Sequence, residues 1–368
     1  MSGSNPHDGT FLPTSPWSLD RAAWAEVLAD EPRFRLDQVW QGLHRDGTSP
    51  GELTTLPTAL RRRLSERFRP ALTMATERRA ADDSTVKWLW ALPDGAAIET
   101  VLMHYDDRST VCVSSQAGCA MGCGFCATGQ GGYDRNLEVG EIVEQVVAAR
   151  SAAGARRLSN VVFMGMGEPF ANYDRLLAAL HRIVDDLGIG ARHVTVSTIG
   201  LVPQILRFAE EGLQVGLAVS LHGANDELRS ELIPINRRHP LDELLAACQL
   251  YRERTGRRVS FEWAMIDGVN DGDHDADQLA AAARSARAHV NLIPLNPTPG
   301  WPMTGTPRRR VMAFADRLRA AGVATSVRAN RGTDIDAACG QLSASHTVAD
   351  GAGSPVAIAI ERPRTTKR

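Results

Sequence analysis

A chain of 368 residues is long enough for about two domains at the usual ~100–200 residues each. Hydrophobic residues make up 43% and charged residues 23%, the mix of an ordinary soluble globular protein with ample material for a core. Lys and Arg number 41 against 43 Asp and Glu, and the resulting net charge of −2 excludes a basic nucleic-acid coat while leaving room for a local basic face.

Only Lys87 and Lys367 are lysines, so nearly all the basic residues are arginine. With alanine equally abundant, GC-rich codon usage accounts for this better than phosphate recognition does. No run of ~18 or more apolar residues suggests a membrane span. The polar start, rich in Gly and Pro, lacks the charged and apolar parts of a signal peptide. A cytoplasmic protein with reduced thiols and no membrane association is therefore expected. Six cysteines are too few for a disulfide scaffold, and Cys119, Cys123 and Cys126 crowd together, which points to a metal.

In chain order, residues 1–18 read as a flexible lead. Residues 19–85 read as a small helical accessory domain: Trp24, Val27 and Leu28, then Leu36, Val39, Trp40 and Leu43, recur near helical spacing. Asp20 and Asp37 suit helix starts, 47–51 a loop and 56–68 a further helix. From residue 86 the pattern changes. Segments 86–92 and 97–105 predict a hairpin turning at Pro93-Asp94-Gly95. β-like runs then come at 110–114, 160–164, 193–197, 215–221, 259–266, 290–295 and 324–328. Helical runs at 138–152, 173–187, 241–254, 275–288 and 308–320 lie between them. Such alternation predicts an α/β fold with βα units and a parallel sheet. About six units over 86–342 suit an open or incomplete (β/α)6-type barrel, whose chemistry sits at the carboxyl ends of its strands. Residues 343–368 read as a flexible tail.

The loops at the strand ends are informative. The cysteine cluster comes after the first strand, Gly165-Met166-Gly167-Glu168-Pro169 after the second and Ser197-Thr198-Ile199-Gly200 after the third. Ser220-Leu221-His222-Gly223 comes after the fourth and Asn296-Pro297 after the sixth. Gly and Pro make turns anywhere, but polar and glycine residues at one end of five strands describe a ligand site.

Cys119, Cys123 and Cys126 form C-x-x-x-C-x-x-C. Three thiolates on one tight loop hold three irons of a 4Fe–4S cluster and leave the fourth without a protein ligand. A structural zinc would need a fourth ligand, for which Cys112 is a candidate at an unusual spacing. Gly118, Gly122 and Gly124 let the backbone wrap closely, and Phe125 suits a water shield. Cys248 on an apolar helix reads as core, and His274 as part of a polar loop and helix start.

This spacing, with an aromatic residue before the last cysteine, resembles the radical S-adenosylmethionine (SAM) superfamily. Gly167-Glu168-Pro169 is similar to its motif for the SAM amino group. Val113-Ser114-Ser115-Gln116, Met164 to Pro169, Ser220-Leu221-His222, Pro234-Ile235-Asn236 and Asp334 to Leu342 together resemble the RlmN/Cfr family of adenine methyltransferases. The resemblance runs from about residue 99 to 342, is weaker over 20–85 and is absent at both ends.

The resemblance implies one 4Fe–4S cluster on Cys119, Cys123 and Cys126, and two SAM per turnover, one as methyl donor and one as radical source. It implies SAM contacts at Gly167, Glu168, Ser197, Ser220, Leu221, His222 and Asn296. Cys339 matches the cysteine that carries the methyl group, Glu99 the proton acceptor and Cys112 the thiol that resolves the protein–RNA adduct. Taken alone, Cys339 and Cys112 read as packing residues, Glu99 as a solvated strand residue and His222 as a structural histidine. The implied reaction is methylation of carbon 2 of one adenine in 23S rRNA, at the peptidyl-transferase centre, and of the adenine 3′ to the anticodon in some tRNAs. An external electron donor such as flavodoxin, and a monomeric protein, are expected with it.

Arg61, Arg62, Arg63, Arg67 and Arg69 form one basic cluster and Arg308, Arg309, Arg310, Arg317 and Arg319 another. Either suits phosphate contacts, and equally a solvated helix face. Three other readings compete: methylation of carbon 8, a radical SAM activase that would not need Cys339 and Cys112, and a zinc-stabilised RNA-binding protein.

Overall fold

The computed structural model describes residues 15–296 and 301–328, with Ile335, Ala337, Gln341 and Leu342. Three helices come first: α1 (Arg21–Val27), α2 (Phe34–His44) and α3 (Thr58–Arg67). Asp20 caps α1 by accepting the Ala23 N–H at 2.7 Å. Trp24, Val39, Leu43, Leu60 and Leu64 are buried, and helices this short depend on such packing.

Both expected limits of this region need correction. The ordered chain begins before residue 19: Pro16–Ser18 form a single 3₁₀ turn, and the buried Trp17 donates from its indole to Leu43 O at 3.2 Å. The Ser15 hydroxyl is bonded to the buried Glu144 carboxylate. The helical stretch ends at Arg67 rather than 85, because β1 (Thr73–Arg79) joins the main sheet. That strand is mostly exposed and has no apolar alternation, so pairing with its neighbour makes it a strand. The rest of the expected lead, and the expected tail at 343–368, lie outside the described residues.

The predicted hairpin is present as β2 (Thr85–Ala91) and β3 (Ala97–His104), followed by β4 (Ser109–Cys112). A small ribbon of β5 (Gln116–Gly118) and β6 (Tyr133–Asn136) flanks α4 (Ala127–Gln130). After it come α5 (Val139–Ala153), β7 (Leu158–Phe163), α6 (Tyr173–His181), β8 (Val194–Thr198), α7 (Val202–Glu210) and β9 (Gly216–Ser220). The chain continues through α8 (Asp226–Leu232), α9 (Leu241–Thr255), β10 (Val259–Met265), α10 (Asp273–Ala286), β11 (His289–Pro294), α11 (Arg308–Ala320) and β12 (Thr325–Val327).

Ten strands form one sheet in the order β1-β2-β3-β4-β7-β8-β9-β10-β11-β12. Pairing is antiparallel from β1 to β4 and parallel from β4 to β12. The helices cross between parallel strands, and no pairing closes the sheet among the described residues. This is the incomplete barrel that the alternation predicted. Its apolar core lies between the strands and the helices that cover them: Val161, Val196, Leu217, Phe261 and Val290 are buried together with Ile142, Ile205, Leu244 and Leu279 of the covering helices. Each such side chain contributes roughly 1.5–3 kcal/mol.

Register assigns faces. On β2 and β3, Trp90 donates to Thr100 Oγ1, which donates to Gln145 Oε1 on α5, so this face packs on a helix. The opposite face carries Lys87, Glu99, Val101 and Cys112, because Lys87 pairs with Val101 and Val101 with Cys112.

Candidate active site at the carboxyl ends of the strands

A cavity opens at the carboxyl ends of β7 to β12. It is lined by Cys119, Cys123 and Cys126 on one side, by Gly165 to Pro169 after β7, and by Ser197, Ser220, His222, Glu262 and Arg328 from later strands. The structure thus gathers residues that the sequence spreads over more than 200 positions.

The cysteine loop is shaped by its backbone. Gly118 ends β5 with φ +74°, and a Cβ there would lie 2.2 Å from Gly132 O, so only glycine fits. The next N–H, of Cys119, donates to that same carbonyl at 2.6 Å. Cys126 occupies the N-cap of α4. Trp301 lies over Gly124, where a Cβ would meet the indole ring at 2.2 Å. Phe125 meets His222 edge-on, with centroids 4.9 Å apart.

These residues fit an iron–sulfur cluster. Burial, together with the neighbouring Cys126 and Glu168, pushes the Cys119 thiol up to about 11. Burial and the other two cysteines push Cys123 well above its ordinary value. Held up in this way, Cys119 and Cys123 stay protonated by themselves, and a bound metal takes the place of those protons and offsets the repulsion between thiolates. Among the described residues no three His, Cys, Asp or Glu side chains converge on one point as around a single ion. A polynuclear cluster needs no such convergence, since each thiolate takes a different iron.

The segment before the cluster is held by side-chain hydrogen bonds. Ser114 Oγ donates to Glu99 O at 2.6 Å and accepts the Met166 N–H at 2.9 Å. Gln116 Oε1 accepts the Glu168 N–H at 2.8 Å, and its amide donates to Asn136 Oδ1 at 2.7 Å. Gly167 has φ +96°, and a Cβ there would strike Gln116 at 2.5–2.8 Å. Ser114 and Gln116 thereby lock the Gly167-Glu168 turn to the cysteine loop. Glu168 is buried, with Oε1 accepting from Phe170 N–H (3.0 Å) and Oε2 from Ile199 N–H (2.9 Å). Burial outweighs these donors and raises its carboxyl to about 7.

Ser197 Oγ and Ser220 Oγ stand 3.5 Å apart across the cavity wall. His222 has φ +54°, and its Nδ1 accepts the Ala264 N–H at 2.8 Å. Burial and the nearby Arg229 lower its value to about 3, so the ring is neutral with Nε2 as the protonated nitrogen. Leu221 and Asn296 are the expected cofactor contacts that do not line the cavity, and Leu221 turns away from it. Its side chain belongs to the apolar core, its N–H donates to Glu262 O and its carbonyl accepts the Gly223 N–H. It positions its neighbours and does not reach the cavity. Asn296 is buried one residue beyond Leu295, which does line it.

Glu99 and Cys112 are buried on one sheet face but do not line this cavity. Sequence reasoning missed the partner of Glu99: Lys87 Nζ lies 3.1 Å from its Oε1. The hairpin pattern could have found it, since 87 and 99 fall on the same face of paired strands. Glu262 and Arg328, both in the cavity wall, were missed as well. Cys339 lies outside the described residues; nearby, Leu342 accepts a hydrogen bond from Thr128 Oγ1 on α4 at 2.5 Å. Cys248 is core, as expected. His274 is in the first turn of α10, where Asp275 accepts the Gly272 N–H.

Residues 113–280 match the radical SAM superfamily. A probable dual-specificity RNA methyltransferase RlmN of Parafrankia sp. (strain EAN1pec) is 54% identical over 96% of this chain and 100% of its own length. Its counterpart in Rhodococcus erythropolis (strain PR4 / NBRC 100887) is 49% identical over 89% and 93%. The crystal structure of a radical SAM methyltransferase from Sphaerobacter thermophilus superposes with a TM-score of 0.88 at 49% identity, covering 90% of this chain and 100% of that one.

The chain belongs to the RlmN family of radical SAM methyltransferases. Membership of the RlmN family implies a 4Fe–4S cluster and SAM as cofactors. Among the described residues no helix is long and apolar enough to cross a membrane.

Proposed function

We propose that this RlmN-family protein methylates carbon 2 of adenine in RNA: one adenine at the peptidyl-transferase centre of 23S rRNA, and the adenine 3′ to the anticodon of some tRNAs. The observation that carries the reading is the single cavity lined by all three loop cysteines together with Gly167, Glu168, Ser197, Ser220 and His222. Carbon 2 lies between two ring nitrogens and is too electron-poor to attack a SAM methyl group as a nucleophile. A cluster and SAM, when bound, supply the carbon-radical chemistry that such a carbon accepts.

In this reading Cys119, Cys123 and Cys126 each hold one iron. Glu168 offers its remaining lone pairs to the SAM amino group, while Ser197, Ser220, His222 and Asn296 hold the rest of SAM. Cys339 takes a methyl group from one SAM by displacement at sulfur. Once that carbon is joined to carbon 2, Glu99 accepts the carbon-2 proton. Cys112 then attacks the sulfur of Cys339, forming a disulfide and releasing the methylated base. The Lys87 ion pair orients Glu99 on the sheet face that bears Cys112. Leu342, three residues after Cys339 in the sequence, is docked on α4 by Thr128, which follows Cys126 by two residues.

The helical residues 21–67 serve as the accessory RNA surface. Arg63 is tied to Asp30 and Glu31, Arg317 to Asp277 and Asp273, and Arg319 to Asp316. Phosphate contacts therefore fall to the exposed Arg62, Arg67 and Arg69 and to Arg308 and Arg309. The target adenine leaves its stack to reach the cavity. A monomeric, cytoplasmic enzyme using an external flavodoxin-like donor completes the reading.

Anaerobic purification, digestion of co-purified and reacted RNA to nucleosides, and mass spectrometry test it. The wild-type protein should yield 2-methyladenosine, and Cys112→Ala should arrive covalently attached to RNA. 8-Methyladenosine would refute the position of methylation. Iron without either product would refute RNA methylation.

A further inference from the structure

A fully buried arginine stands behind the cysteine loop and has no part in the proposed methyl transfer. Arg229 on α8 has none of its surface exposed. Its Nη1 donates to Asn236 Oδ1 and its Nη2 to Ile199 O, both at 2.5 Å, and Nε has no hydrogen-bond partner. Among the described residues no carboxylate makes a direct ion pair with it, and Asp226 reaches it only across the Asn236 amide. A buried charge without a counter-charge is strongly unfavourable, so a fold that retains one invites a search for what balances it.

The surroundings hold this guanidinium closely. A Cβ at Gly223 would lie 2.9 Å from the Arg229 backbone, and one at Gly200 3.2 Å from its Nη2. Asn236 is itself gripped, donating to Asp226 Oδ1 at 2.8 Å and to Ser230 Oγ at 2.9 Å. The Pro234-Ile235-Asn236 segment thus acquires a purpose: it fixes Arg229. On the other side lies the cysteine loop. Leu228 and Leu232, flanking Arg229 on α8, pack in one apolar cluster with Cys123 and Phe125. Ile199, whose carbonyl takes Nη2, gives its N–H to Glu168. Cys123, Asp226 and Cys248 are the groups electrostatically coupled to Arg229, and of these Cys123 alone belongs to the cysteine loop.

We propose that Arg229, held by Asn236, is the fixed counter-charge of the iron–sulfur site and raises the reduction potential of a cluster on Cys119, Cys123 and Cys126. This rests on the assignment of a cluster to those three cysteines. One electron from an external low-potential donor adds one negative charge at the loop, with no bond made or broken. In apolar surroundings that charge is poorly screened, and a nearby buried cation stabilises it.

The test is an anaerobic potentiometric titration of the reconstituted full chain, followed by electron paramagnetic resonance, after iron and sulfide have been counted. The variants are Arg229→Gln, Arg229→Lys and Asn236→Ala. At a fixed potential Arg229→Gln should lower the ratio of reduced to oxidised cluster at least about tenfold, ~59 mV for a one-electron couple. Arg229→Lys should stay close to wild type, and Asn236→Ala should fall between. A purely structural arginine would lower thermal stability in all three and leave the potential where it was. Equal potentials in wild type and Arg229→Gln would overturn the proposal, as would an equal shift in Arg229→Lys. Should Arg229→Gln fail to fold, Asn236→Ala decides, an unmoved potential again counting against the proposal. A wild-type protein that binds no iron would instead refute the cluster reading itself.

Discussion

Lys87→Met removes one partner of an ion pair whose side chains are only 9% and 8% exposed, 3.1 Å apart. At an effective dielectric of ~20 the attraction at that distance is about 5 kcal/mol. Desolvation of both ions offsets most of it, so the intact pair adds little net stability. The single substitution is different, because it takes the Lys87 cation from a buried carboxylate. That costs ~3–5 kcal/mol, whereas removing both charges with Lys87→Met and Glu99→Leu should return stability to within ~1–2 kcal/mol of wild type. The assay is urea unfolding of the metal-free protein followed by circular dichroism, with ΔΔG taken from the midpoint shift at unchanged slope. A single-mutant cost below ~1 kcal/mol would refute the reasoning, since the carboxylate would then have water or another cation to turn to. The same variant bears on the chemistry. If Glu99 takes the carbon-2 proton, losing its orienting partner should leave more protein attached to RNA at fixed reaction time.

Gly167→Ala places a methyl group 2.5–2.8 Å from Gln116 at φ +96°, so it should displace Glu168 and weaken SAM binding at least about tenfold by equilibrium dialysis. Cys126→Ala should abolish iron binding and the brown colour while the far-ultraviolet circular dichroism is retained, because the apolar core does not include the cluster. Glu144 has its carboxyl raised by burial from 4.5 to about 7, against bonds from Ser15, Ala71 and Leu72. The folded state therefore keeps a proton that the unfolded state releases. Stability from this group is full below about 4.5 and is lost as pH rises toward about 7, by up to ~1.4 kcal/mol per pH unit. Glu144→Gln should flatten the thermal midpoint across that window, and an unchanged slope would count against the assignment. His222, lowered to about 3, should contribute no ionisation to SAM binding between pH 5 and 8.

Much of the parallel sheet was legible in the sequence because its strands are short apolar runs separated by long helical ones, and the seven expected runs coincide with β4 and β7 to β12 to within two residues at every boundary. The strand-end loops were legible because glycine and polar residues recur where a ligand site needs them. What escaped was set by tertiary pairing. β1 reads TMATERR and looks like nothing until β2 lies beside it. Trp17 was assigned to a loose lead because its burial depends on Leu43, 26 residues on. Lys87 and Arg229 are charged residues that composition places at the surface, and only the register of β2 with β3 and the turn at Asn236 bring them inside.

The antiparallel edge gives the architecture its sense. An incomplete barrel leaves β4 without a parallel neighbour on one side, and β3 supplies an antiparallel one. In that pairing Glu99 and Cys112 share a face, and Ser114 Oγ ties the Glu99 backbone to Met166, two residues before Glu168. The proposed chemistry divides along the same line. Groups for SAM stand at the carboxyl ends of parallel strands, whereas Glu99 stands on β3 of the antiparallel edge and Cys112 on β4, where the two kinds of pairing meet. Glu262, a buried carboxylate in the cavity wall, shows what that space does to an acid, since burial raises its carboxyl above the ordinary range. Glu99 stands outside that lining, on the antiparallel edge, with the Lys87 ammonium 3.1 Å from its Oε1 to hold it in place.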